Sequence, residues 1–492
     1  MKRRSSGILM HISSLPGPYG IGDFGKGAYD FVDFLECASQ KEWQILPLGI
    51  TGFGDSPYQN FSVFAGNPYF IDLEEFFQKG YLNKEDIALH PLGDNPERVD
   101  YGLLYKNKTA LLRIAYKRAK KEINRELEAF YEKEKTWLRD FALFMAIKKA
   151  HNDVSWLKWP QEYRNINSRA VLDFERENQD EIYFHIFVQY FFFKQWKALK
   201  NYANKKNIRI IGDIPIYVAE DSADLWRHHG LFKVDENLYP LTVAGCPPDA
   251  YSETGQLWGN PVYDWEAMER DGYTWWIDRI RASFEMYDMV RIDHFRGFEA
   301  YWEVKYGSSD AVNGKWTKGP GYKFFERIKE ELGELPIIAE DLGFLTDEVY
   351  ELIGKTGFPG MKVLQFAFES GAESEHLPHN YTRNCVVYTG THDNNTIIGW
   401  VRKAGKRELL FARDYLKLSF EEGFNWGFIR GAFSSTADTC IIPMQDYLGL
   451  GDEARMNTPS TLGNNWVWRM KEDALTDELA EKIAKLTRIY GR

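Results

Sequence analysis

Acidic residues stand at the carboxyl ends of four short apolar runs, where a parallel sheet would bring them together. Asp213 ends IRIIGD, Asp293 ends MVRID, Glu340 and Asp341 end PIIAED, and Asp393 ends VVYTGTHD. One such acid is compatible with a helix cap, because Asp often caps the helix that follows a strand. Four in the same structural position favour a shared pocket of carboxylates.

The run MVRIDHF also places an arginine two residues before its aspartate. Side chains of a strand alternate between faces, so Arg291 and Asp293 share one face. Val290, Ile292 and His294 then share the other face. A structural ion pair is one interpretation, although buried pairs are weak evidence for stability. The other is functional, because a guanidinium beside a carboxylate favours the ionised form.

Several carboxylates without a metal motif suit the exchange of glycosidic bonds. One carboxylate attacks the anomeric carbon, and the second protonates the leaving oxygen and later deprotonates the acceptor. Retaining enzymes hold the two groups ~5–5.5 Å apart, which adjacent strand ends can provide. Asp293 beside Arg291 suits the nucleophile, and Glu340 then needs a drier, less cationic site that keeps it protonated. Mg²⁺-dependent phosphoryl chemistry is the alternative, but the sequence has no phosphate-binding loop.

Eight apolar runs, most of them followed by polar or Gly-rich turns, predict the elements that position these acids. They are residues 7–13, 43–49, 208–216, 289–295, 336–343, 361–368, 385–393 and 440–449. Several are separated by helix-like segments, and strands buried on both faces that alternate with helices are typical of parallel α/β folds. Eight units favour a (β/α)₈ TIM barrel over an open doubly wound sheet.

Two connections are too long for simple βα units and predict insertions after the second and third strands. Residues 50–207 are predicted to be mostly helical, because apolar residues recur every four positions across 111–127. Residues 217–288 carry a turn-rich segment, 245–261, predicted to be an active-site loop. Both insertions begin at the carboxyl ends of strands, the side of the barrel on which barrel enzymes build their active sites. The chain, 1–492, is then one catalytic barrel without a separate C-terminal β-domain.

The bulk composition narrows the class of protein and its partners. A net charge of −11 argues against a nucleic-acid or acidic-membrane surface. Aromatic residues make up 16% of the chain, and aromatic platforms suit ligands such as sugars. Its four cysteines show no CxxC spacing, so neither a disulfide framework nor a metal site is expected. Lacking a secretory signal or spanning segment, the sequence predicts a cytoplasmic monomer or weak homo-oligomer without a cofactor.

Several motifs together resemble one known family. RIDHFRG, IIAEDLG, THDNNT and GDIPIYV are similar to short conserved regions of the α-amylase superfamily. Longer stretches resemble glycoside hydrolase family 77, the 4-α-glucanotransferases or amylomaltases: HISSLPGPYGIGDFG, LPLGITGFGDSPYQNFSVFAGNPYFIDL, PPDAYSETGQLWGNP and STLGNNWVWR. The resemblance implies transfer of α-1,4-glucan fragments between maltooligosaccharides, amylose or glycogen-derived glucans through a covalent intermediate. A plain α-glucan hydrolase and a non-catalytic glucan-binding protein are the alternatives.

The resemblance also implies residue roles. Asp293 matches the nucleophile, Glu340 the acid/base and Asp393 a third carboxylate that grips sugar hydroxyls. His294 and His392 match residues that bond hydroxyls of the sugar at the cleavage point. Further positions that match supporting or sugar-contacting residues are Ser56, Tyr58, Asp213, Asp249, Tyr251, Trp258, Arg291 and Asn464. Phe53 stands where some relatives carry Tyr, at a position linked to a remote glucan contact.

Overall fold

A computed structural model of the chain describes residues 4–52, 54–248, 252–343 and 345–492. Its β-strands are β1 (Ser5–Leu9), β2 (Glu42–Gln44), β3 (Arg209–Pro215), β4 (Thr242–Cys246), β5 (Gln256–Pro261), β6 (Met289–Asp293), β7 (Ala300–Lys305), β8 (Gly314–Lys318), β9 (Ile337–Ala339), β10 (Gly360–Val363), β11 (Cys385–Tyr388) and β12 (Thr439–Pro443).

Its α-helices are α1 (Lys26–Cys37), α2 (Glu74–Gln78), α3 (Lys84–Leu89), α4 (Tyr101–Ala119), α5 (Asn124–Ala150), α6 (Arg169–Glu177), α7 (Gln179–Lys205), α8 (Ala223–His228), α9 (Trp265–Arg270), α10 (Thr274–Met286), α11 (Tyr322–Leu332), α12 (Asp347–Thr356), α13 (Ile397–Lys403), α14 (Lys406–Leu416), α15 (Phe424–Ser434), α16 (Met444–Tyr447) and α17 (Asp477–Tyr490). No helix of the described residues is long and apolar enough to cross a bilayer.

Eight parallel strands form a nearly closed barrel, in the order β10-β11-β12-β1-β2-β3-β6-β9. Each of the eight apolar runs overlaps one of them, so the prediction of a TIM barrel is confirmed. At the seam between β9 and β10, the N–H of Ala339 donates to Pro359 O at 2.9 Å. The N–H of Met361 donates to the Asp341 carboxylate at 2.6 Å. Asp341 therefore bonds the seam of the barrel.

The barrel strands are apolar because helices cover their outer faces. Every residue of β1, β2, β9 and β11 is buried. The covering helices are amphipathic: α1 buries Phe31, Val32 and Leu35 toward the barrel and packs beside α17. This two-sided burial explains why the strands appear in the sequence as mostly apolar runs rather than as alternating ones.

Residues 50–207 contain α2 to α7 and little strand structure. The apolar positions that recur across 111–127 are all buried. They do not belong to one helix, because α4 ends at Ala119 and α5 begins at Asn124. The helices α5 and α7 pack against each other along their length beside the barrel.

A second sheet, of four antiparallel strands in the order β5-β4-β7-β8, stands beside the barrel. Its first two strands form a hairpin, so segment 245–261 contains the end of β4 and all of β5 rather than irregular loop alone. Strands β7 and β8 come from the connection after β6, and no insertion was predicted there. These strands are short and mix Gly, Thr and Lys with Trp, and their pairing joins distant segments.

Candidate active site

A cleft of about 1340 Å³ opens at the carboxyl ends of the barrel strands. The predicted site residues that line it are Ser56, Tyr58, Trp258, Arg291, Asp293, His294, Glu340, His392 and Asp393. They come from separate parts of the chain, because parallel strands bring their carboxyl ends to one side of the barrel. The predicted convergence of Asp293, Glu340 and Asp393 is therefore present in the fold.

Asp293 and Glu340 directly follow two residues that lie opposite each other on neighbouring strands. Ile292 of β6 is in register with Ala339 of β9, and the N–H of Glu340 donates to Ile292 O at 3.1 Å. Neighbouring strands lie about 4.8 Å apart. The two acids therefore start from neighbouring backbone positions, as a retaining carboxylate pair requires.

Two backbone N–H groups hold the Glu340 carboxyl group. The N–H of His294 donates to Oε2 at 2.7 Å, and the N–H of Leu342 donates to Oε1 at 2.9 Å. His294 has a left-handed backbone with φ of 53°, at the point where β6 ends. The residue after Asp293 therefore turns out of the strand and bonds the carboxyl group of the neighbouring strand.

The His294 ring lines the cleft, whereas strand alternation predicted it on the face opposite Asp293. That prediction is wrong because the strand ends at Asp293 and the left-handed residue redirects the ring. The ring packs edge-to-face on Trp258, with centroids 4.7 Å apart. Burial lowers the pKa of His294 to about 3, so the ring is neutral. Its buried Nε2 has no hydrogen-bond partner among the described residues.

Arg291 links Asp213 to Asp293. Its Nη1 donates to both Asp213 oxygens, at 2.8 and 2.6 Å, and its Nη2 donates to Asp293 Oδ1 at 2.9 Å. Asp213 is buried and also accepts a hydrogen bond of 2.8 Å from the Tyr58 hydroxyl. It lies opposite Arg291 in register, beneath the cleft, and is not among the residues that line it. Asp213 thus positions Arg291 and Tyr58.

The pKa values of the two central carboxyl groups are raised. For Glu340 the pKa rises to about 7, chiefly through burial and then through the charge of Asp293, while Arg291 opposes the rise. Burial also raises the pKa of Asp293, and Arg291 again opposes it. Two close carboxyl groups do not ionise together readily. Because Arg291 donates directly to Asp293, the shared proton belongs on Glu340.

Asp393 is held by residues that the sequence analysis did not single out. Asn457 Nδ2 donates to Asp393 Oδ1 at 2.7 Å, and Arg455 Nη2 donates to Asp393 O at 2.6 Å. Arg455 Nε also donates to Asn457 O at 2.7 Å, which ties the two together. The Asp393 side chain remains 45% exposed, toward the cleft. Asn457 lies just before the motif STLGNNWVWR. That motif pointed to this part of the chain, but nothing in the sequence indicated that Asn457 would bond Asp393.

Aromatic rings flank the carboxylates. Tyr58 stacks on His392 with ring centroids 5.1 Å apart and planes 19° from parallel. Trp466, which lies within STLGNNWVWR, packs against both rings and lines the cleft. Tyr217 also lines the cleft, but its hydroxyl oxygen is buried away from it and has no hydrogen-bond partner among the described residues. Flat aromatic faces thus flank the strand-end acids.

One predicted contact is not part of this arrangement, and two others fall on residues that the structure does not describe. Asn464 is exposed, does not line the cleft, and accepts a hydrogen bond from Arg98 at 3.0 Å. Asp249 and Tyr251 lie outside the described residues, as does Phe53. Within the ranges that the structure describes, no group of three or more His, Cys, Asp or Glu side chains is arranged to hold a metal ion.

Comparison with known proteins gives one consistent family. A family model described as 4-alpha-glucanotransferase, glycoside hydrolase family 77, matches residues 10–476. A 4-alpha-glucanotransferase of Clostridium butyricum is 56% identical over 485 residues, covering 98% of this chain and 100% of that protein. One of Streptococcus pneumoniae is 53% identical over 497 residues, covering 100% and 98%. The solved amylomaltase of Streptococcus agalactiae in complex with acarbose matches with a TM-score of 0.97 and 43% identity, covering 100% of both chains.

Proposed function

The chain belongs to the 4-alpha-glucanotransferase family, and we propose that it performs the family's reaction by a double displacement centred on Asp293 and Glu340. Its activity moves a segment of one α-1,4-glucan to the 4-hydroxyl of another. The observation that carries the assignment of roles is the contact of Arg291 with Asp293, on the strand beside Glu340.

In the first half-reaction, the ionised Asp293 carboxylate attacks the anomeric carbon of the donor glucan. The bond from that carbon to the glycosidic oxygen breaks, and Glu340 gives its proton to the departing oxygen. A glucosyl ester on Asp293 results, and the remainder of the donor leaves with a free 4-hydroxyl. The pKa of Glu340, about 7, suits a group that must be protonated at this point.

In the second half-reaction, Glu340 acts as a base. It takes the proton of the acceptor 4-hydroxyl while that oxygen attacks the anomeric carbon and displaces Asp293. Two inversions at one carbon preserve the α configuration. The backbone N–H groups of His294 and Leu342 hold the carboxyl group in place for both steps.

Asp393, His392 and His294 hold the sugar whose bond is broken. The Asp393 carboxylate accepts from ring hydroxyls, with its own orientation set by Asn457. The neutral His294 ring lines the cleft and lies beside the sugar. Hydrogen bonds that strengthen as the ring distorts stabilise an oxocarbenium-like transition state.

Transfer instead of hydrolysis requires that a glucan hydroxyl reach the intermediate before water does. The β4–β5 hairpin borders the cleft through Cys246, Gln256 and Trp258. We propose that this hairpin, with its Gly- and Pro-rich tip, holds the acceptor glucan and excludes water. Maltooligosaccharides, amylose and glycogen-derived glucans are the substrates that we assign. An amylomaltase of the same fold binds acarbose, and we expect acarbose to occupy this cleft also.

Incubation with maltotriose and no added cofactor tests the function. Glucose and longer maltodextrins should appear while the number of reducing ends stays constant. Asp293→Ala should abolish turnover and retain glucan affinity. Rising reducing ends with only shorter products would identify a hydrolase, and binding without turnover would identify a glucan-binding protein.

A further inference from the structure

The active-site cleft extends past the carboxylates to an exposed tryptophan. Its volume of about 1340 Å³ exceeds the ~300–1,000 Å³ of pockets for single small molecules, so the cleft has room for a chain of sugars. Trp316 of β8 lines the cleft and is 41% exposed. Neither half-reaction described above uses this ring. An exposed indole in the wall of a substrate cleft is a surface that substrate can cover.

Two neighbours fix the orientation of the Trp316 ring. The Arg296 guanidinium lies over the ring, 3.9 Å from its centroid, and Arg296 is itself buried. Trp302, the residue opposite Trp316 on β7, packs edge-to-face on it with centroids 5.3 Å apart. The Trp302 indole N–H donates to Ala311 O at 2.8 Å, which anchors that second ring. A ring held in this way loses little conformational entropy when a ligand covers it.

The register of the four-stranded sheet sets Trp316 apart from the bond that reacts. Successive partners across β5, β4, β7 and β8 are Leu257, Gly245, Trp302 and Trp316. Three strand spacings of about 4.8 Å, or ~14 Å, therefore separate the backbone of Trp316 from the strand that carries Trp258. Trp258 packs on His294, the residue after the proposed nucleophile. The span from there to Trp316 is longer than one pyranose ring.

The topology places Trp316 at the end of the cleft where acceptors enter. Its strand, β8, lies in the connection between β6 and β9, the strands that lead to Asp293 and Glu340. Asp393 and Trp466 follow β11 and β12, and β12 stands opposite β6 in the order of the eight strands. In the proposed reaction Asp393 holds the sugar whose bond is broken, and Glu340 exchanges a proton with the departing or accepting chain. The acceptor therefore extends from Glu340 toward Trp316.

We propose that Trp316 is a platform for an outer glucosyl unit of the acceptor, beyond the unit whose 4-hydroxyl reacts, and that it makes longer acceptors preferred. This inference rests on the proposed transfer to glucan 4-hydroxyls and adds a residue that selects among acceptors. The C–H face of a pyranose ring covers the indole, while its hydroxyl edges stay in water. Arg296 acts through the ring, because it holds the indole in place. The departing chain of the first half-reaction occupies the same surface.

Transfer to acceptors of different length tests the proposal. The donor is an isotopically labelled α-glucosyl fluoride, so mass spectrometry counts only acceptors that have gained a labelled unit. The measured quantity is kcat/KM for glucose, maltose, maltotriose and maltohexaose as acceptors. In the wild type it should rise with acceptor length. In Trp316→Ala the ratio of kcat/KM for maltohexaose to that for glucose should fall about tenfold, through the KM of the longer acceptor.

Three further variants separate a platform from a structural role. Trp316→Phe retains a flat ring and should recover most of the preference for maltohexaose. Trp316→Leu is apolar without a flat face and should not recover it. The matched control, Val312→Ala, truncates an exposed side chain between β7 and β8 that does not line the cleft, and it should keep the wild-type ratio.

The outcomes distinguish this inference from the proposed function. No preference for longer acceptors in the wild type, an unchanged ratio in Trp316→Ala, or equal losses with glucose and maltohexaose would each overturn the platform and leave the transferase assignment standing. If the wild type lengthened no acceptor at all, the transferase assignment would fall, and the platform with it.

Discussion

The backbone N–H of His294 donates to Glu340 Oε2 at 2.7 Å, so the residue that follows Asp293 holds the carboxyl group at the end of the neighbouring strand. Hydrogen bonding between these two segments continues one residue further, because the N–H of Phe295 donates to Glu340 O at 3.1 Å. The proposed nucleophile and acid are therefore positioned by one continuous piece of backbone. Their separation depends on strand register and not on flexible side chains alone.

The pH dependence of the reaction should follow these two carboxyl groups. The pKa of Glu340 is about 7, and the group must be protonated to act as the acid. Above this pH it loses the proton, and kcat/KM should fall by about tenfold per unit. At low pH Asp293 gains a proton and the nucleophile is lost, which produces the acidic limb. Rates with maltotriose across the pH range measure both limbs. The alkaline limb should be absent from the pH profile of Glu340→Gln. If that limb persisted in the variant, it would belong to another titrating group.

Glu340→Gln should affect substrates according to their leaving groups. Turnover of maltotriose should fall by roughly 10²–10⁴-fold, because no proton reaches the departing oxygen. An activated α-glucosyl fluoride needs little protonation, so its first step should proceed while the second step stalls. Mass spectrometry should then find a glucosyl adduct on the peptide that carries Asp293. Asp293→Asn is the control and should form none. Equal loss for both substrates would show that Glu340 is not the acid.

Asn457→Ala should lower kcat more than it changes KM. The variant removes the donor that holds Asp393 Oδ1 at 2.7 Å, and misplacement of a catalytic group can cost roughly 10²-fold. Asn178→Ala is a matched control, since it removes an amide hydrogen bond to Phe174 O at a helix junction in the helical insertion. Steady-state kinetics with maltotriose separate the two parameters. A change in KM alone would mean that Asn457 contacts substrate and does not position Asp393.

Much of the barrel follows from the sequence because its strands are buried on both faces and so lie in mostly apolar runs. The acids at their ends could be grouped for the same reason, since parallel strands share one carboxyl end. The pairing of β4 with β7 could not be predicted, because it depends on contacts between segments about sixty residues apart that are short and mixed in polarity. The contact of Asn457 with Asp393 could not be predicted either, because the two residues are distant in the sequence and come together only in the folded chain.

The neighbouring acids Glu340 and Asp341 show what the sequence pattern alone cannot predict. Both end the same apolar run, yet Glu340 lines the cleft and Asp341 bonds Met361 across the barrel seam. Both residues lie beyond the end of β9 at Ala339, so strand alternation does not separate them; backbone N–H groups of Leu342 and Met361 bond the two side chains separately. The sequence therefore indicates where acids gather, and the backbone after the strand decides which of them faces the cleft.

Asp341→Ala should destabilise the protein by about 1–3 kcal/mol, because the buried N–H of Met361 loses its acceptor. Asp341→Asn retains an oxygen at that position and should cost less. Gly360→Ala should also destabilise, since a Cβ there would lie 2.2 Å from Asp341 Oδ2. Urea unfolding of the three variants compares the free energies. Equal loss in Asp341→Ala and Asp341→Asn would mean that the charge, and not the hydrogen bond, holds the seam.

Trp258→Ala should shift the products from transfer toward hydrolysis. Trp258 lies on β5, lines the cleft, and packs edge-to-face on His294 with centroids 4.7 Å apart. Its removal opens the acceptor side to water and leaves Asp293 and Glu340 in place, so the intermediate still forms. With maltotriose, reducing ends should rise severalfold faster relative to glucan elongation than in the wild type. Leu257→Ala, at an exposed neighbouring position of β5 that does not line the cleft, is the control and should keep the wild-type ratio. An unchanged ratio in Trp258→Ala would show that the hairpin does not select the acceptor through this ring.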